Sequence, residues 1–251
     1  VVSRGYGGKA PHYPYRLGTS STTAQAGDEP VLIARRCGCP VVVAPKRADA
    51  VRLLEQSGEV DIIITDDGLQ HYALARDIEL VVVDGARRFG NGCLLPMGPL
   101  REPMTRLKRV DAIICNGGTP AQGEYPMALV AAAPRRVCDD APLEAPLTGP
   151  VDALAGIGHP PRFFATLTGL GYELAERVGY ADHQAFDRDE LLARFGQRPL
   201  LMTEKDAVKC RAFAPPHWWY LPVSAELPAA LLDTLLQRLT PLQAPGPDHA
   251  H

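Results

Sequence analysis

Hydrophobic residues in this chain fall into short, almost unbroken runs at 41–43, 61–65, 80–83, 112–115 and 199–203. Runs of this length without polar alternation predict strands covered on both faces. Between them the apolar spacing becomes helical over 30–36, 48–56, 161–170 and 187–195, and Asp187 is placed to cap the last of these. Strands alternating with helices predict an α/β fold, a mostly parallel sheet flanked by helices. The opening Val1-Val2-Ser3-Arg4-Gly5-Tyr6-Gly7-Gly8 reads as a strand entering a glycine turn. Prolines at 134, 142, 146 and 150, with Asp139 and Asp140 among them, predict a hinge. The expected division is therefore a larger domain over 1–150, a smaller α/β domain over 151–240, and an aperiodic, disordered tail over 241–251.

In such a sheet, ligands bind beyond the carboxyl ends of the strands, and the residues there are polar. The run 61–65 leads into Asp66-Asp67-Gly68-Leu69-Gln70-His71, and the run 199–203 into Glu204-Lys205-Asp206. Two aspartates at a rigid strand end suit a magnesium ion bridging nucleotide phosphates, which makes Asp66 and Asp67 metal candidates. A simple Asp-Asp-Gly turn is the competing reading. Gly27-Asp28-Glu29-Pro30 opens a helical stretch, so Asp28 can cap it, act as a base for a substrate hydroxyl, or do both; His183 is its candidate partner. Arg87, Arg88 and Arg101 sit in glycine- and proline-punctuated loops and suit an anionic substrate, or are solvated loop charge. Beside them, Leu94-Leu95-Pro96-Met97 fits either a lipid-facing surface or a core segment.

Composition narrows the classes. With 46% hydrophobic and 22% charged residues, the chain can bury a core. Its 26 basic and 29 acidic residues give a net charge of -3, without the basic field that a nucleic-acid partner requires. No apolar run approaches the roughly 20 residues that span a bilayer and no leader is visible, so the expectation is a soluble protein with membrane contact at most peripheral. Six cysteines without a C-x-x-C pair predict reduced, structural thiols, with Cys37 and Cys39 buried at a helix end.

Taken together, several blocks resemble the tetraacyldisaccharide 4'-kinase family of lipid A biosynthesis. They are Ser-Arg-Gly-Tyr-Gly at 3–7, Gly-Asp-Glu-Pro at 27–30, Asp-Asp-Gly-Leu-Gln-His at 66–71, the glycine-arginine loop at 84–92 and Leu-Pro-x-Gly-Pro-Leu-Arg-Glu-Pro at 95–103. Gly-Ile-Gly at 156–158, Asp-His at 182–183 and Met-Thr-Glu-Lys-Asp-Ala-Val-Lys-Cys at 202–210 complete the set. The resemblance implies a P-loop-type kinase of two α/β domains, peripheral on the cytoplasmic face of the bacterial inner membrane. It further implies that the enzyme uses ATP and Mg2+ to phosphorylate the 4'-hydroxyl of tetraacyldisaccharide 1-phosphate. On it, Asp28 and His183 would be catalytic, Asp66 and Asp67 would serve magnesium and the phosphates, and Gln70 and His71 would line the nucleotide site. Arg87, Arg88 and Arg101 would contact substrate phosphate.

Two departures stand out. No G-x-x-x-x-G-K-S/T loop occurs in the 251 residues, so the expectation is weak ATP binding and little kinase activity from the chain as given. Ala181 also stands where the family usually has proline before Asp-His. The alternative is a P-loop-less relic that binds anionic glycolipid or a partner chain; a hydrolase using Asp66, Asp67 and His71 on a metal is a third reading.

Overall fold

The computed structural model describes residues 1–240; the expected tail at 241–251 lies outside the described residues. In chain order the first half contains β1 (Val2–Ser3), β2 (Tyr15–Arg16), α1 (Thr23–Ala26), α2 (Asp28–Cys37), β3 (Val42–Val43), α3 (Arg47–Ser57), β4 (Leu80–Asp84), β5 (Ala112–Asn116) and β6 (Glu124–Ala131). There follow β7 (Arg135–Arg136), β8 (Val151–Ala155), α4 (Pro160–Gly169), β9 (Leu174–Gly179), α5 (Arg188–Arg194), β10 (Leu200–Thr203), α6 (Glu204–Cys210), β11 (Trp218–Leu221), β12 (Val223–Glu226) and α7 (Ala229–Leu239).

Two compact units result, one from Val1–Leu74 with Ala131–Val223, the other from Ala75–Val130 with the chain from Ser224. Compactness thus divides the chain elsewhere than at 150. The first unit holds a three-stranded sheet, order β1-β3-β2, and a five-stranded sheet, order β7-β11-β10-β8-β9. β8, β9, β10 and β11 run parallel, and only the short edge strand β7 is antiparallel. The proline-rich stretch expected to be a hinge supplies β7 and the fully buried Val137, because its backbone pairs with β11. Leu154, Leu200, Met202, Trp218 and Phe195 fill one face of this sheet, and Ala153, Leu201, Phe163 and Leu167 the other, which is the double burial that apolar runs require.

The second unit holds the sheet β12-β6-β5-β4, with β4, β5 and β6 parallel. α7 covers it by packing Leu231 on Ala112 and Ile114.

The α/β reading is therefore correct, with mostly parallel sheets flanked by helices. Three local expectations are not met. The run 80–83 does form β4, but only one face of it is covered: Leu80 is 41% and Val82 57% exposed, while Val83 is buried. Residues 61–65 form no named strand; they run beside β1 through one bridge, Val2 to Thr65, and leave Ile62 and Ile64 exposed. Cys37 is exposed rather than buried, since α2 stops at the left-handed Gly38 and its last turn faces solvent.

Candidate active site

The site is built where the starts of two helices approach each other within the first unit. α2 begins at Asp28 behind Gly27, whose φ of 89° is open only to glycine and whose Cβ, if present, would lie 2.5 Å from the Tyr6 carbonyl oxygen. The glycine turn after β1 is thereby pressed onto the helix start, and Tyr6 meets the His183 ring edge-on at 5.0 Å. Asp28 is 5% exposed, and its Oδ1 accepts from the Glu29 backbone N–H at 3.0 Å and lies 2.9 Å from His183 Nδ1. The N-cap of α2 is Gly27, with no side-chain cap, so Asp28 is the first helical residue and does not cap the helix; its Oδ1 meets both the Glu29 N–H and His183. Its other oxygen, Oδ2, is buried and has no hydrogen-bond partner among the described residues.

His183 is delivered by the loop before α5 in a left-handed conformation, φ 60°, which a non-glycine residue adopts only when its surroundings hold it. Those surroundings are Asp28, the Tyr6 ring and, from α6, Lys205. Thr203 caps that helix by accepting from the Asp206 N–H, and its own hydroxyl donates to Asp206 Oδ2 at 2.6 Å. Asp206 is wholly buried and also accepts from the Gly156 N–H at 2.8 Å and from Lys209 Nζ at 3.0 Å. Residues 205 and 209 are one helical turn apart, so both ammonium groups project to the same side. Lys209 Nζ lies 3.7 Å from Asp28 Oδ2 and 4.5 Å from the centre of the Phe186 ring; Lys205 Nζ lies 4.0 Å from Asp28 Oδ2. Lys205 further donates to Glu29 Oε1 at 2.8 Å and to Asp182 Oδ1 at 3.0 Å. Burial opposes the charge of Lys205, yet these hydrogen bonds and the Asp28 charge outweigh it and hold the ammonium above the ordinary lysine range. The same ammonium overcomes the effect of burial on Asp182 and holds that carboxyl below its usual range.

Asp66 and Asp67 follow the stretch beside β1. The Asp66 N–H donates to the Val2 carbonyl, and Ser3 Oγ donates to Asp66 Oδ2 at 3.3 Å. Burial first, then repulsion from Glu29 and Asp67, pushes the Asp66 carboxyl up, while Ser3 and Arg47 only partly offset this. Asp67 adopts a left-handed φ of 48°. An under-neutralised pair of carboxylates beside a hydroxyl is chemically suited to a hard divalent cation. No cluster of three or more potential metal-ligating side chains occurs among the described residues, so such a cation would take its remaining oxygens from phosphate and water. Gln70 and His71 lie in the turns that follow, where the His71 N–H donates to the Gly68 carbonyl.

The arginine candidates belong to the other unit. Arg88 makes a two-pronged ion pair with Glu124 at 2.7 and 2.8 Å, which raises the guanidinium and lowers the carboxyl to about 2. Arg87 and Arg101 are exposed. The apolar loop beside them is surface and not core: Leu95 is 62% and Met97 80% exposed.

Sequence reasoning singled out Asp28, His183, Asp66 and Asp67 but missed Glu29, Lys205 and Lys209. The available signal was the i, i+4 lysine pair in the 202–210 block.

Taking a proton from a hydroxyl and neutralising phosphate charge are the two tasks these groups suit, which puts the chain among the α/β phosphotransferases. Residues 1–240 match the family model for tetraacyldisaccharide-1-P 4'-kinase, and the chain belongs to that family. A tetraacyldisaccharide 4'-kinase of Aeromonas hydrophila is 85% identical over 239 residues, covering 95% of this chain and 72% of that protein. Those of Aeromonas salmonicida and Tolumonas auensis are 84% and 61% identical, covering 98% and 97% of this chain and 74% of each relative. The fold matches the crystal structure of the "apo" form of LpxK from Aquifex aeolicus in complex with ATP, with a TM-score of 0.74 at 23% identity over 94% of this chain and 78% of that one.

Proposed function

We propose that the chain is the acceptor site, with part of the nucleotide site, of an ATP-dependent kinase. It transfers the γ-phosphate to the 4'-hydroxyl of tetraacyldisaccharide 1-phosphate in lipid A synthesis. The observation that carries this reading is Asp28 Oδ2, a buried carboxylate oxygen with no hydrogen-bond partner among the described residues, next to Oδ1 held by His183. Oδ2 accepts the sugar hydroxyl proton as the hydroxyl oxygen bonds to the γ-phosphorus and the bond from that phosphorus to the bridging oxygen breaks, releasing ADP. Lys205 and Lys209 keep positive charge beside Asp28, and His183 orients it.

Asp66 and Asp67 would hold magnesium, with Ser3 steadying Asp66; the ion supplies charge neutralisation for the transferring phosphate. Gln70 and His71 line the same nucleotide side, and Arg87, Arg88 and Arg101 contact phosphate of the lipid substrate. Since Arg88 is engaged by Glu124, its contact would require sharing or exchange of that partner, whereas the exposed Arg87 and Arg101 are open to an anion. No helix among the described residues is long and apolar enough to cross a membrane. The exposed Leu94, Leu95 and Met97, in the loop chain between Arg87 and Arg101, support a surface resting on the cytoplasmic face of the inner membrane, where a lipid substrate is presented.

Incubating the full-length protein with Mg-ATP and tetraacyldisaccharide 1-phosphate tests the reading. The expected product gains one phosphate, located at the 4'-position by 31P NMR, and chelation of Mg2+ abolishes its formation. Phosphorylation elsewhere, or transfer that ignores chelation, would contradict the assignment.

A further inference from the structure

We infer that Lys205 is a positioning residue that fixes the tautomer of His183 and thereby decides which oxygen of Asp28 is left to act as base. This rests on the reading of Asp28 given above.

An ammonium group has three N–H donors and no acceptor. Around Lys205 Nζ there are three acceptor atoms within hydrogen-bond distance: Glu29 Oε1 at 2.8 Å, Asp182 Oδ1 at 3.0 Å and His183 Nε2 at 3.3 Å. One donor for each acceptor saturates the group. Since Lys205 can only donate, Nε2 must accept, and the ring proton of a neutral imidazole must sit on Nδ1. Nδ1–H then donates to Asp28 Oδ1 at 2.9 Å. The opposite tautomer would aim an Nε2–H at the ammonium and set a bare Nδ1 against a carboxylate oxygen, losing both hydrogen bonds at once. Asp182 Oδ2, 3.7 Å from Nε2, is too distant to rescue that arrangement.

The consequence reaches the chemistry. With Oδ1 taken by the Glu29 N–H and by His183 Nδ1–H, Oδ2 is the atom of Asp28 with lone pairs to spare. His183 does not itself receive the substrate proton, because its acceptor nitrogen is turned to Lys205. Glu29 and Asp182 anchor the lysine; both are well exposed, at 46% and 42% of their side chains, whereas Lys205 is only 14% exposed. Removal of the lysine therefore leaves two carboxylates that water can solvate, and the fold should survive it.

The test is 1H–15N long-range NMR of the histidine rings in the full-length protein, assigned with a His183→Gln variant and read with steady-state kinetics. The wild type should show a pyridine-type Nε2 and a pyrrole-type Nδ1 for His183. Lys205→Met should give mixed tautomers and a kcat about 10- to 100-fold lower, with KM for ATP and lipid within about two-fold. Lys205→Arg, which still donates, should recover the wild-type ring pattern and most of kcat. A wild-type His183 protonated on Nε2, a Lys205→Met spectrum still purely Nδ1–H, or a kcat that ignores the loss of that tautomer would each overturn the proposal. Absence of phosphoryl transfer in the wild type would instead sink the kinase reading, and the ring spectrum would still report the tautomer.

Discussion

Asp206 shows what single residues decide in this site. A fully buried carboxylate is tolerable only when its charge and lone pairs are met, and Thr203, the Gly156 N–H and Lys209 meet them. Asp206→Ala leaves Lys209 and the Gly156 N–H without their buried acceptor and should cost about 3–5 kcal/mol of stability, seen as a large fall in Tm. Gly156→Ala acts on the same contact from the other side. Its added methyl would lie 2.8 Å from Asp206 Oδ1 and 3.5 Å from Lys209 Nζ, for an expected loss of about 1–3 kcal/mol, measured by denaturant unfolding. By shifting Lys209, Gly156→Ala should also lower kcat more than it raises KM. At this scale the sequence was informative for acids at turns, since Asp28, Asp66 and Asp67 announce themselves by the glycines beside them. It was silent on Asp206 and Lys205, whose roles depend on partners about 50 and 176 residues away in the chain.

Among the elements, helices read more clearly than strands. The spacing over 187–195 predicts both α5 and its Asp187 cap, which accepts from the Glu190 N–H at 2.9 Å. Likewise α2 and α3 extend the predicted stretches by a turn or less at either end. Local rules of capping and periodicity suffice there, because the partners lie within four residues. The segment 61–65 shows where such rules stop: its composition is that of a buried strand, yet burial depends on neighbours, and it pairs with β1 at one bridge. The 3.6-residue spacing within α6 does place Lys205 and Lys209 on one side, although only the crossing of α2 with α6 turns that side toward Asp28. Thr203→Val removes the α6 cap and a donor to Asp206 while keeping the shape. It should cost about 1–2 kcal/mol and shift Tm by about 2–8 °C, followed by differential scanning calorimetry.

For the whole molecule, acid stability offers a check through the ion pair of Glu124 with Arg88. Glu124, paired with Arg88, has its carboxyl lowered from 4.5 to about 2 in the folded protein. A carboxyl depressed on folding adds stability that is fully present above its unfolded value and is lost as pH falls through its folded value. Tm should therefore drop between pH 4.5 and about 2, and Glu124→Gln should flatten that part of the profile while lowering Tm at neutral pH. An unchanged slope would remove Glu124 from the acid-labile groups. Family membership was legible from motif order along the chain, whereas the compact units were not: contact between residues 1–74 and 131–223 is a long-range outcome that no local composition shift encodes.

Whether Asp28 Oδ2 takes the sugar hydroxyl proton is decided by single-turnover phosphoryl transfer in the full-length Asp28→Asn variant. Asparagine keeps the shape, but its amide cannot serve as that base. The transfer rate should fall by about 10²- to 10⁴-fold with binding of ATP and lipid unchanged. A variant that transfers phosphate at the wild-type rate would contradict that role of Asp28.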